Sequence, residues 1–264
     1  MLSWRGRRYR LIFSLCGGVV LLAAFLVFLR VKPVSSCTDN RQNQGEEDID
    51  CGGPSCAPCA VKHAKDIVTY WARIVPLRSG VYDVAAEIEN INEAVSSGDV
   101  NYAFTLFDGK GAIAERTGST FMYAHERTLV TEEAIAADRI PTGVRFAITG
   151  VVWQARADLR PAIVVVRREY AVVEEPDGRR KSTINAIVRN DTGNDFRRAL
   201  VQFVALDAQD NLIGANKLVV ENFRAGESRS LTAVWPEEFT VAIASIRIES
   251  RVNIFDPSII IIPH

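Results

Sequence analysis

The strongest constraint on what this chain can fold into is an alternation of period two that occurs twice. In VYDVAAEIEN, residues 81–90, Tyr82, Val84, Ala86 and Ile88 alternate with Asp83, Ala85, Glu87 and Glu89. Successive side chains of a strand point to opposite faces, so the pattern predicts a strand with one buried face and one polar, exposed face. NYAFTLFDGKG continues with Tyr102, Phe104 and Leu106 on one face and a turn at Asp108–Gly111. Further on, STINAIVRN repeats the first pattern with Ile184, Ala186 and Val188. VQFVALDAQDN repeats the second with Val201, Phe203 and Ala205 and closes on another Asp/Asn turn. Asn90 precedes Asp108 by 18 residues and Asn190 precedes Asp207 by 17, while AHER at 124–127 corresponds to AGES at 225–228. An internal repeat of about 100 residues has the size of one β-sandwich. An all-β body is therefore expected, with a first sandwich at 61–155, a second at 156–264, and the polar, Pro161-containing stretch QARADLRPA at 154–162 as the linker. Val61–Val75 reads as a short helical turn passing into the first strand, and SIIIIPH as a final strand.

Ahead of this body, Leu11–Leu29 is a run of nineteen residues without a charge. As a helix it would be roughly 28 Å long, close to the hydrocarbon thickness of a bilayer. The apolar region of a cleaved signal peptide is usually shorter, and no small-x-small site follows here. VSSC at 34–37 imitates a lipoprotein cleavage box only weakly, because Arg30, Lys32 and Pro33 separate it from the apolar core. The reading is a retained transmembrane anchor at 11–29 behind a basic stub at 1–10. Arg5, Arg7, Arg8 and Arg10 before the span, against Arg30 and Lys32 after it, place the N-terminus in the cytoplasm and the bulk outside. Those six take every basic residue up to Lys32, leaving 25 against 32 acidic residues, a net −7, for the rest of the chain. An acidic body repels phosphate backbones, so no nucleic-acid partner is expected.

Residues 30–60 form a cysteine-rich neck. Cys37, Cys51, Cys56 and Cys59 are even in number and clustered, Cys16 lies in the apolar run, and no cysteine follows Cys59. Outside the cytoplasm this partition favours two disulfides, with three pairings open. The alternative is zinc on Cys51, Cys56, Cys59 and His63, although the paired knuckles of strong zinc motifs are missing. Asp39, Glu46, Glu47, Asp48 and Asp50 could bind calcium through oxygen, but they lack EF-hand spacing and read more simply as a solvated acidic loop. A redox role for CAPC has no thioredoxin-like βαβ pattern around it.

The neck pattern C-x-D-x-x-Q-N-x-G-E followed by D-C-G-G-P-x-C-x-P-C, Cys37–Cys59, resembles a short motif of bacterial surface and secreted proteins, which implies location rather than activity. FTLFD at 104–108 resembles the F-x-L-[YF]-D signature of the FxLYD domains. FVALD at 203–207, with AIVRN before it and AGES after it, resembles a fuller second copy. The first copy departs from the pattern in its longer loop, INEAVSSGD. The resemblance implies two tandem immunoglobulin-like sandwiches in an envelope setting, with a binding or interaction role and no catalytic residues to carry over. Residues 65–255 also resemble membrane-anchored bacterial proteins to which no activity is assigned.

Catalytic chemistry finds little support. The histidines are His63, His125 and His264, and neither a G-x-S-x-G elbow, a P-loop nor an H-E-x-x-H occurs. Glu132–Glu133 reads as a solvated strand edge or turn before it reads as an acid/base pair. GSTF at 118–121 reads as a turn entering a strand, and Asp108 and Asp207 as turn caps. Asn190-Asp191-Thr192 matches a glycosylation triplet that is common by chance. No enzyme activity and no cofactor is expected. The expected function is a membrane-anchored interaction module of the bacterial envelope with a protein or envelope partner; the alternatives are a spacer without a discrete ligand and a metal-binding neck.

Overall fold

The computed structural model describes residues 4–30, 37–43 and 45–262, and on the N-terminal helix the side chains of 13–27. The side chains of Arg5–Arg10, the segment 31–36 and His264 lie outside that description, and with them the charge argument, the cleavage box and the last histidine. Two compact units result, Met1–Cys59 and Ala60–His264. In the first, helix α1 spans Trp4–Arg30. Its described side chains are all exposed, Phe13 at 75% and Leu15 at 74% among them. Among the described residues no helix is long and apolar enough to cross a membrane.

The second unit is all-β. It enters through a four-residue helix, α2 (Cys59–Lys62), and then runs as antiparallel strands. The first half contains β1 (Val68–Arg78), β2 (Val81–Glu89), β3 (Ser96–Asp108), β4 (Gly111–Met122), β5 (Arg127–Ala136) and β6 (Gly143–Gln154). They form two sheets, ordered β1-β2-β5 and β4-β3-β6. The second half contains β7 (Ile163–Glu174), β8 (Arg180–Asn190), β9 (Asp195–Leu206), β10 (Leu212–Phe223), β11 (Ser228–Trp235), β12 (Ser245–Arg251) and the short β13 (Ile260–Ile261). Its sheets are ordered β7-β8-β11 and β10-β9-β12, with β13 also on β9. Adding six to each strand number of the first half reproduces the sheet orders of the second.

The repeat extends to single hydrogen bonds. The Asn90 amide donates to Val95 O and Tyr123 O while its oxygen accepts from Asn92 N; the Asn190 amide donates to Asn194 O, Phe223 O and Arg224 O while its oxygen accepts from Thr192 N. Glu126 takes the N–H of Tyr123 on its carboxylate, and Glu227 takes that of Arg224, each three residues back. Between them in each turn stands a left-handed residue, His125 (φ 53°) or Gly226 (φ 70°). Asn190 is fully buried and committed to these bonds, so its triplet is no glycan acceptor.

Three apolar layers hold the four sheets. One lies between the sheets of the first half, around Ile88, Phe104 and Leu106, and one between those of the second, around Ile184, Phe203 and Trp235. The third, with Ala85, Leu129, Val204, Leu206 and Ala215, joins sheet β1-β2-β5 to sheet β10-β9-β12. This layer overturns one expectation. The polar face of β2 is not exposed: Asp83 is 1% and Glu87 3% accessible, because β2 is covered on both sides. Alternation identifies the strand correctly, yet it cannot tell a solvated face from one that meets a second sheet through paired polar groups.

Those groups form a polar seam. Gln202 accepts from Thr131 N and donates to Leu129 O at 2.6 Å, while Glu249 accepts from Thr128 Oγ1 and Leu129 N. Glu87 accepts from Trp71 Nε1 and pairs with Arg127 and Arg247. Arg251, with 0% accessibility, sends Nε and Nη2 to both oxygens of the Glu126 carboxylate at 2.9 and 2.7 Å, and Arg160 from the connecting segment reaches the same carboxylate. Ser96 Oγ donates to Arg156 O, which pins the connection further. A buried fork of this kind fixes orientation more surely than it adds stability.

Candidate functional site

The four neck cysteines pair as Cys37–Cys56 and Cys51–Cys59, with Cα atoms 5.6 and 4.8 Å apart. Sulfurs held in disulfides offer zinc no thiolate, so Cys51, Cys56 and Cys59 do not make the ligand set considered with His63, which is exposed beyond α2. The neck acids are engaged in turns. Asp50 accepts from Asp39 N and Asn40 N, Glu46 from Asn43 N and Asp50 N, and Asp39 from Arg41 N. Gly53 closes the fold at φ 70°, where a Cβ would lie 2.3 Å from Gly45 O. Backbone amides thus occupy several of the oxygens that the calcium reading needs.

The site with the form of a binding cleft lies in the β body, at the end of the seam. It encloses about 520 Å³ between the end of β1, the β9–β10 turn and the segment after β11. Val75, Leu77, Leu212, Trp235 and Phe239 supply apolar wall; Asp83, Asp207, Glu237 and Glu238 converge on it with Arg78. Clefts of this size, apolar with a few placed polar groups, are the usual form of ligand sites.

Local structure explains each wall. Asp207 caps the β9–β10 turn, accepting from Gln209 N and Asn211 N at 2.8 Å and from Asn211 Nδ2 at 2.9 Å. The Asn211 side chain, chiefly, holds its pKa below the usual carboxylate value. On the facing wall, Gly214 leaves room for aromatic rings, since a Cβ there would meet Phe239 at 2.7 Å and Trp235 at 2.8 Å. The Trp235 indole donates to Ala215 O, and its ring lies 5.1 Å from that of Phe239. Ser182 secures the segment after β11, donating N–H to Glu237 O and accepting Phe239 N on Oγ. Glu238 pairs with Arg180 at 2.8 Å.

Asp83 is held by a bulge. Tyr82 faces Ile135 and Val84 faces Glu132, so Glu133 and Ala134 stand opposite the single residue Asp83. Ala134, at φ 52°, turns its N–H to Asp83 Oδ1 at 3.0 Å. Among the described residues Oδ2 accepts no hydrogen bond. Burial pushes the Asp83 carboxyl up to about 7; the Ala134 amide opposes the shift and the Glu133 charge adds to it. Glu132 and Glu133 do not form the solvated edge expected of them. Glu132 accepts from Tyr102 OH at 2.7 Å and pairs with Lys217 at 2.9 Å, and Glu133 accepts the Lys217 N–H. The bulge turns both toward β10 of the other half, where Lys217 meets them. Burial, above all, raises the pKa of Glu133.

The remaining candidates described in the β strands and their turns stand apart. Asp108 caps its turn through Lys110 N and pairs with Arg139, while His125 is exposed near Glu93. Sequence reasoning passed over Asp83, Trp235 and Phe239. The signal for the last two was present in WPEEF at 235–239, two aromatics enclosing two acids directly after a strand. No protein-family model matches this chain, and no curated protein matches it either.

Proposed function

We propose that this chain is a membrane-anchored, extracytoplasmic binding module without catalysis. Its two immunoglobulin-like sandwiches, of FxLYD type, stand beyond a disulfide-stapled neck and receive a protein or envelope partner. The observation that carries the reading is the cleft, which three loops of two interlocked halves build and a bulge equips with a buried carboxyl. Exposed valines on the second half, Val164, Val166 and Val241 among them, favour a partnered surface over an evenly charged one. The anchor is supported by α1, whose described apolar side chains are exposed. A spacer without a discrete ligand is the second reading, favoured by the buried Arg251–Glu126 fork that stiffens the body.

Cysteine probes introduced one at a time into chain carrying Cys16→Ser, on native cells, test both parts. Val219→Cys, remote from the cleft, is expected to react with a membrane-impermeant maleimide before lysis, in chain that sediments with membranes. Protection until lysis overturns the topology. Val241→Cys, on the cleft rim, is expected to react more slowly on cells than in the purified chain. Equal rates in both settings favour the spacer.

A further inference from the structure

The cleft's charge and its apolar wall narrow the chemistry of what it can take. Four of the charged groups on it, Asp83, Asp207, Glu237 and Glu238, are acids, and Arg78 is the one cation among the described lining residues. They are not equivalent. Asp207 is spent on its own turn and Glu238 on Arg180. Glu237 carries neither a hydrogen bond nor an ion pair on its carboxylate among the described residues. Asp83 is the unusual member: almost wholly buried, lining the cleft, with Oδ1 on Ala134 N and Oδ2 without a donor. A buried carboxyl with a free oxygen costs the fold free energy unless it is protonated or meets a donor. Among the described residues nothing in β1, β2 or β5 supplies that donor, so the ionised carboxyl is open to one that enters from the cleft, water or a ligand.

We propose that the cleft binds a primary alkylammonium group, its charge between Asp83 and Glu237 and its stem along Leu77, Leu212 and Trp235. This rests on the reading of the cleft as the binding site. An ammonium has three donors and no acceptor, which suits two carboxylates, and a methylene stem suits the wall behind them. A hard metal ion is a poorer match, because it needs six or more oxygens and would leave that wall without contact. A lysine side chain of a partner and a free amine share the chemistry, and both have room in about 520 Å³.

The proposal carries a pH signature. The charged groups around Asp83 are Glu133 on β5, with Lys217 of β10 behind it, Arg78 on β1, Asp207 at the β9–β10 turn, and Glu237 and Glu238 after β11. An ammonium favours the ionised carboxyl and expels its proton. With the free carboxyl titrating at about 7, affinity rises from pH 6 to pH 8 by about tenfold and then levels off.

The test is a nuclear magnetic resonance titration of the full-length chain, read at the Ala134 amide and the Trp235 indole N–H. The probes are n-pentylamine, lysine blocked at both ends, n-pentanol and pentanoate. The expected result is that pentylamine, blocked lysine or both shift these resonances, with the tenfold pH dependence, while pentanol and pentanoate do not. Blocked lysine as the stronger probe identifies a protein partner, and pentylamine as the stronger a free amine. Asp83→Asn keeps an acceptor for Ala134 N and is expected to abolish the pH dependence and weaken binding at least tenfold. Glu237→Gln, on an exposed side chain that cannot endanger the fold, is expected to weaken it severalfold. Pentanol shifting the resonances as well as pentylamine overturns the ammonium and leaves the cleft as a site. Silence of all four probes overturns both.

Discussion

At Asp83 a single carboxyl ties folding to pH. Its ordinary value is 3.8 and its folded value about 7, so between these limits the folded chain holds a proton that the unfolded chain has released. Stability therefore falls as pH rises through that window and is flat above it. Glu133, also shifted upward by burial, acts in the same direction. Replacing Asp83 by Asn removes the titration while keeping the Ala134 contact. Urea unfolding from pH 4 to pH 8 is expected to show a reduced slope of stability against pH in the variant, and a gain of roughly 1–3 kcal/mol at pH 8. A variant less stable than the parent at pH 8 would mean that ionised Asp83 already has a donor in the unliganded chain.

At the scale of elements, the repeated turn shows one device put to two uses. Glu126 and Glu227 each cap the amide three residues back, but only Glu126 is buried and forked by Arg251. Removing the charge of the half-buried copy, which pairs with Arg229, by Glu227→Gln is expected to cost at most about 1 kcal/mol. Arg251→Met leaves Glu126 buried with the Tyr123 N–H and the longer Arg160 contact, and the expected cost is about 3 kcal/mol, toward the lower end for a broken buried pair. Denaturant midpoints of the two variants measure the difference. The repeat itself was legible, because alternation and turn chemistry are local: Asn90, Asn190 and the AHER and AGES turns lie where their spacing put them. What those residues touch was not. Arg251 stands in RIESRVN, a charged stretch with nothing in it that marks a buried arginine, and the Asp83–Glu87 face reads as solvated. Burial by a sheet more than a hundred residues away leaves no mark on local periodicity. The nearest signal was β9, where Val204 and Leu206 are apolar on the face opposite Phe203, a hint that both faces would be covered.

For the whole molecule, the middle apolar layer makes the β body one cooperative object. Calorimetry is expected to show a single transition for residues 60–264, and Ala85→Asp, which sets an unpaired charge into that layer, is expected to split it into two. The neck is built on another principle, and its two bridges interleave: Cys37–Cys56 spans 19 residues and Cys51–Cys59 spans 8. Under tension applied along the chain the bridges are unequal. A pull entering at Cys37 crosses directly to Cys56 and leaves three residues later, so the peptide between them stays slack. Cutting Cys51–Cys59 alone lengthens nothing. Cutting Cys37–Cys56 alone lets residues 37–51 run out, roughly 45–50 Å at about 3.4 Å per residue, before the second bridge catches. Single-molecule extension of variants lacking one bridge or the other is expected to show that asymmetry, with reductant converting the parent from a fixed tether into one that pays out slack.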